Sequence, residues 1–156
     1  MITSKILFVC TGNICRSPTA EGVMRVLARQ AGCTANFLLD SAGTHDYHVG
    51  EPPDKRTQQA ALRRGYDLSS QRARQVTAED FVRFDRILAM DLRNLSLLRE
   101  RCPRDLHGKL TLFLDYAEGH EGNEVPDPYY GGPNGFEHVL DLAEAGARGL
   151  LKAFAM

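Results

Sequence analysis

The chain has no apolar run long enough to cross a bilayer. The stretch Ile6-Leu7-Phe8-Val9 near its start has four residues, where a spanning helix needs about 20. That stretch is also too short for a signal peptide, and no small-residue cleavage site follows it. The expected compartment is therefore the cytoplasm, where thiols stay reduced. Cysteine is scarce: Cys10, Cys15, Cys33 and Cys102 form no CxxC pair and no Cys/His cluster of zinc spacing. His45, His48, His107, His120 and His138 show no metal spacing either and read as solvated side chains. Charge of one sign is lacking too. A net charge of −1 gives no global attraction to nucleic acid or an anionic membrane, so an anionic ligand has to be drawn in by local features. Repeats, low-complexity tracts and linkers are absent, and a chain of 156 residues reads as one domain, 1–156, that buries enough surface to need no disulfide or metal staple.

What is present is an alternation of strand-like and helix-like segments. Lys5–Val9 reads as a buried strand ending at a Gly-containing turn. Ser17-Pro18 reads as an N-cap with proline at the first helical position, with Glu21 in the first turn. Ala20, Val23, Met24, Leu27 and Ala31 share a helical face, and Gly32 marks the stop. Further strands are expected at Phe37–Asp40, Arg86–Met90 and Leu110–Leu114. Further helices are expected at Lys55–Arg64, after the capping-box-like Thr77–Asp80, at Asp91–Arg101 and at Phe136–Phe154. Such alternation implies βαβ units and a parallel sheet with helices on both faces. Ligands then bind beyond the carboxyl ends of the strands, at a helix N-terminus.

The loop after the first strand reads Cys10-Thr11-Gly12-Asn13-Ile14-Cys15-Arg16-Ser17-Pro18. It is not an ATP-type phosphate loop, because GxxxxGK[ST] is missing. Its five residues between cysteine and arginine allow one turn of backbone whose N–H groups converge on an anion, supported by the positive end of the following helix. Gly12 and Asn13 tolerate the left-handed dihedrals of such a turn. Arg16 can grip two phosphate oxygens at once. A cysteine held there is favoured as thiolate, the nucleophilic form, and the Ser17 hydroxyl can bond its sulfur and stabilise it as a leaving group. Cys10 is thus the candidate nucleophile and Arg16 the phosphate clamp.

The string Val9–Pro18 resembles the signature of the low-molecular-weight protein tyrosine phosphatases. Asp127-Pro128-Tyr129-Tyr130 resembles that family's general-acid loop. Ser41-Ala42-Gly43-Thr44, Ala73-Arg74-Gln75-Val76-Thr77 and Ile87-Leu88-Ala89-Met90-Asp91 are also similar, so the resemblance spans the chain. It implies a single-domain, three-layer α/β/α fold with a four-stranded parallel twisted sheet, and no metal or organic cofactor. The implied activity is hydrolysis of phosphotyrosine through a phosphocysteine intermediate, with Asp127 as general acid and then base. Thr11, Gly12, Asn13, Ile14, Cys15 and Ser17 would surround the phosphate, and Tyr47, Tyr129 and Tyr130 would line the crevice mouth as aromatic walls. Relatives that act on phosphoarginine tend to carry threonine at the Ile14 position, so an apolar branched side chain favours an aromatic substrate. In the family the Cys10–Cys15 pair can form a reversible disulfide that shields the nucleophile. Implied partners are phosphotyrosine proteins, among them a bacterial tyrosine kinase of polysaccharide export, with no nucleic acid and no membrane insertion. Many relatives carry a histidine bonded to the loop asparagine where Gln71 aligns; glutamine can also bond Asn13, so the departure bears on the rigidity of the loop rather than on its chemistry. Asp91, at a strand end, reads as a structural anchor near the site, with an alternative acid as the second reading.

Two rivals compete. An arsenate reductase uses the same loop and fold but relays a disulfide through a further cysteine pair near residues 80–90, which this chain lacks. A non-catalytic phosphotyrosine-binding module would not need Cys10, Arg16 and Asp127 together.

Overall fold

The alternating segments assemble, in a computed structural model that describes residues 3–132 and 134–155, into one sheet of four parallel strands. The strands are β1 (Ser4–Cys10), β2 (Phe37–Gly43), β3 (Arg86–Ala89) and β4 (Leu110–Leu112), in the order β2-β1-β3-β4. The helices are α1 (Arg16–Gln30), α2 (Lys55–Arg63), α3 (Ala78–Arg83), α4 (Leu92–Arg101) and α5 (Gly135–Phe154). Side chains of a strand alternate between faces, and β1 shows the consequence. Ile6 and Phe8 join a core with α1, α2 and α5, while Leu7 and Val9 join a second core with α3 and α4. All four are fully buried, which is why β1 reads as an unbroken apolar run.

Chain order places the site. From β1 the chain steps outward to β2, then returns across β1 to β3 and β4. The connections therefore diverge at the carboxyl end of β1, and a crevice opens at such a point. The capping box at α3 is present: the Thr77 hydroxyl and N–H both meet the Asp80 carboxylate, at 3.3 and 2.8 Å. Gly32 and Gly65, with φ of 72° and 89°, end α1 and follow α2 as expected.

Three expectations are corrected. β2 runs three residues beyond Asp40, because Ser41, Ala42 and Gly43 continue the register opposite Phe8, Val9 and Cys10 although their side chains carry no apolar pattern. β4 ends at Leu112, and a 3-10 turn over Phe113–Tyr116 follows. Ser17 is not an N-cap: α1 starts two residues earlier than expected, at Arg16, with Cys15 at the cap position. Glu21 consequently lies past the first turn, buried, and bonded to Arg25 Nε at 2.8 Å.

Candidate active site

Between the end of β1 and the start of α1 the chain makes one tight turn. Three of its carbonyls are held from outside: Cys10 O accepts from Thr44 N–H at 2.9 Å, Thr11 O from His45 N–H at 3.0 Å and Ile14 O from Asp54 N–H at 2.9 Å. A trans peptide is planar with its C=O and N–H opposed. Carbonyls turned outward therefore turn the N–H groups of Thr11, Gly12 and Cys15 inward. Asn13 takes the left-handed conformation, φ 59°, and its N–H points at the Cys10 sulfur, 3.3 Å away. Its side chain fixes the turn: Nδ2 donates to Ser17 Oγ (2.9 Å) and Ser41 Oγ (3.0 Å), and Oδ1 accepts from Arg74 N–H (3.0 Å). Gly43, at the end of β2, makes room. A Cβ there would lie 2.7 Å from Thr11 O, inside van der Waals contact with backbone that cannot step aside.

The sulfur of Cys10 lies at the floor of this cradle, 3.0 Å from Ser17 Oγ. Ser17 thus sits in the first turn of α1, not at the expected helix position, with its hydroxyl turned to the sulfur. Arg16 is 4% exposed. Its Nη1 bonds Asp91 Oδ2 at 2.6 Å and Val125 O at 3.1 Å, and its Nη2 reaches Thr11 Oγ1 at 3.3 Å. Burial opposes its charge, but the adjacent Cys10 and Asp91 outweigh burial and hold the guanidinium pKa above its ordinary value. Asp91 also caps α4 through Asn94 N–H at 2.7 Å, so it is the anchor expected.

Above the cradle a cavity of about 270 Å³ is lined by Cys10, Thr11, Gly12, Ile14, Cys15, Arg16, Tyr47, His48, Asp127 and Tyr129. Asn13 and Ser17 are buried beneath it. The side chain of Tyr130 lies outside the described residues. Asp127 stands at the start of a 3-10 turn, Pro128–Tyr130, its carboxylate accepting Tyr129 N–H at 3.0 Å. Tyr47 stacks on His45 with ring centroids 4.8 Å apart. The Tyr129 ring carries the Arg56 guanidinium 4.7 Å from its centroid, and the same guanidinium lies 4.9 Å from that of Phe136.

Two roles are revised by the geometry. His48, read as a solvated histidine, lines the cavity and pairs through Nδ1 with Glu51 at 2.6 Å. Nothing in its spacing marked it; proximity comes from the turn after β2. Gln71 does not bond Asn13. Its Nε2 goes to Pro18 O at 3.0 Å, and it approaches Asn13 only through Ser41, whose hydroxyl is 3.5 Å from Gln71 Oε1. Arg56 was also missed, since an arginine in a helical first turn looks like any surface cation. Cys15 is buried beside the cavity. Burial, together with the charges of Asp54, Cys10 and Asp127, pushes its thiol up to about 12 despite the Thr57 hydroxyl next to it, so at neutral pH only a small fraction of it is thiolate.

A family model for the low molecular weight phosphotyrosine protein phosphatases matches residues 5–156. The chain belongs to this family. As a low molecular weight protein tyrosine phosphatase it is a phosphoric monoester hydrolase, and its fold is that of solved relatives. YfkJ, a low molecular weight protein-tyrosine-phosphatase of Bacillus subtilis, is 42% identical over 94% of this chain and 92% of its own. A protein tyrosine phosphatase of Entamoeba histolytica, solved with Hepes in the active site, superposes with a TM-score of 0.91 at 41% identity, covering 96% of both chains. Vibrio vulnificus Wzb, solved with benzylphosphonate, gives 0.84 at 29% identity over 97% of this chain and 99% of its own.

Proposed function

We propose that this phosphatase hydrolyses phosphotyrosine by two displacements at phosphorus, with Cys10 as nucleophile, Arg16 as phosphate clamp and Asp127 as acid and then base. The observation that carries the reading is the Cys10 sulfur under a ring of inward N–H groups, with Arg16 and Asp127 in the walls of the same cavity. In the first step the Cys10 thiolate forms an S–P bond, the P–O bond to the phenol breaks, and the Asp127 carboxyl protonates the departing oxygen. In the second step a water attacks phosphorus, its proton passes to the Asp127 carboxylate, and the thiolate leaves. The Ser17 hydroxyl at 3.0 Å stabilises the sulfur on both occasions. The loop N–H groups and Arg16 hold the equatorial oxygens throughout. Ile14, Tyr47 and Tyr129 supply apolar and aromatic wall to the cavity, which suits a phenyl ring, and a benzyl phosphonate is what Vibrio vulnificus Wzb holds.

The physiological partners in this reading are phosphotyrosine proteins, including a tyrosine kinase of bacterial polysaccharide export, and the place of action is the cytoplasm. Among the described residues no helix is long and apolar enough to cross a membrane. The scheme routes no step through a metal.

The test is hydrolysis of p-nitrophenyl phosphate by reduced wild type and Cys10→Ser between about pH 4.5 and 8, with and without EDTA. Turnover that is greatest at mildly acidic pH, indifferent to EDTA and abolished by the substitution is expected. Turnover persisting in Cys10→Ser would remove the thiolate from the mechanism. Partners are then sought by mass spectrometry of phosphoproteins retained on Cys10→Ser.

A further inference from the structure

Next to the catalytic cavity lies a second recess, of about 450 Å³, bounded by Thr11, His45, Tyr47, Arg93, Ser96 and Leu97. Thr11 and Tyr47 line both, so the two are adjoining compartments of one groove. Tyr47, 67% exposed and backed by His45, offers a flat surface for a chain passing from one to the other. The far wall is α4, whose Arg93, Ser96 and Leu97 stand at i, i+3 and i+4 and so share a helical face.

The cations around the site differ in how they are occupied. Arg16 is held by Asp91, Val125 and Thr11. Arg101 donates to Thr44 O at 2.6 Å. Arg56 is held by Asp54 and two rings. Arg93, in the first turn of α4, has no ion pair or hydrogen bond among the described residues. Its guanidinium is the one in this set that is open to a ligand, and it faces a recess that adjoins the phosphate cavity.

We propose that this recess is a subsite for the carboxylate of an Asp or Glu flanking the phosphotyrosine in a protein substrate. The inference rests on the phosphatase reading above and adds a sequence preference to it. An extended peptide advances about 3.3 Å per residue, so side chains one to three positions from the phosphotyrosine fall within a neighbouring compartment. A guanidinium takes a carboxylate in a two-point contact. Ser96 supplies a hydroxyl, and Leu97 gives the methylenes of a glutamate an apolar surface. A single arginine matches one carboxylate better than a second phosphate, which calls for several donors, as the Cys10–Arg16 turn provides.

The experiment compares phosphotyrosine peptides that carry Glu or Gln at each position from three before to three after the phosphotyrosine. For wild type, Arg93→Ala and Arg93→Glu, the ratio of kcat/KM for the Glu peptide to that for its Gln twin is measured. Each ratio is taken within one enzyme, so a general change in turnover cancels. Wild type is expected to favour Glu at one or two positions by about 2- to 5-fold, as an exposed ion pair gives, chiefly through KM and less so at high salt. The ratio should fall to about one in Arg93→Ala and invert in Arg93→Glu. A wild-type ratio near one at every position, or a preference that survives in Arg93→Ala, would overturn the subsite. Turnover of p-nitrophenyl phosphate by the wild type in parallel separates this from a failure of the phosphatase reading, which would show as no hydrolysis at all.

Discussion

Arg16 is a buried cation with three protein partners, and the strongest of them is Asp91. Asp91→Ala takes that partner away, leaves the buried guanidinium with Cys10 as its nearest remaining counter-charge and strips α4 of its cap. Unpairing a buried charge costs about 3–5 kcal/mol and losing a cap about 1 kcal/mol. Because the Asp91 side chain is about one-fifth exposed and Cys10 remains beside Arg16, a loss below the sum of these terms, about 2–4 kcal/mol, is expected in urea denaturation. Inhibition by inorganic phosphate should weaken with it, since Arg16 is no longer held toward the anion. Unchanged phosphate inhibition would mean that Asp91 does not position the clamp. Cys15 gives a prediction about oxidation. Peroxide converts the Cys10 thiolate to sulfenic acid, releasing water after protonation, and Cys15 can then displace a second water to form a disulfide. Its thiol sits near 12, so the thiolate fraction, and with it the rate of disulfide formation, should rise tenfold per pH unit through the neutral range. Loss of the Cys10 charge on oxidation removes one of the causes of that elevation. Wild-type activity lost to peroxide should return with dithiothreitol, and that of Cys15→Ala should not. Equal recovery in both would exclude Cys15 as the partner.

The N-terminal turn of α2 links the two halves of the chemistry. Asp54 donates its N–H to Ile14 O in the phosphate loop, and its carboxylate caps α2 through Arg56 N–H at 2.8 Å. Burial raises the Asp54 pKa, but the bonds from Arg56 more than offset this and lower it. The Arg56 guanidinium then lies against Tyr129, two residues beyond Asp127. Arg56 is therefore expected to position the acid. A general acid matters most when the leaving group is poor, so Arg56→Ala should slow phenyl phosphate several-fold more than p-nitrophenyl phosphate, mainly in kcat. Equal loss on both substrates would show that Arg56 does not act through Asp127. Arg56→Lys, which keeps charge but loses the planar stack, should lie between.

At the scale of the whole molecule, the site is a junction of both cores. Cys10 ends the central strand, Arg16 and Ser17 begin a helix on one face, and Asp91 opens a helix on the other. This much was legible because each piece has a local cause: an apolar run for β1, a Gly-Asn turn, a helix start. What could not be read rests on contacts between distant segments. The last third of β2 is recognisable only from its pairing with β1. His48 reaches the cavity and Arg56 its Tyr129 wall through turns whose course is set by Gly43 and Asp54, and the groove at Arg93 exists only once α4 packs beside the residue-45 turn. Because an anion in the cradle touches groups from β1, α1 and the Asp127 segment at once, its binding should stabilise the fold as a unit. Ligand that binds only the native state adds RT ln(1 + [L]/Kd), about 2.7 kcal/mol at 100 times Kd. For a chain of this size each kcal/mol raises Tm by about 2–4 °C, so saturating inorganic phosphate should raise the wild-type Tm by about 5–11 °C. Arg16→Ala should show little of that rise, even if its own Tm is lower. A phosphate-dependent shift as large in Arg16→Ala as in wild type would mean that the anion binds elsewhere.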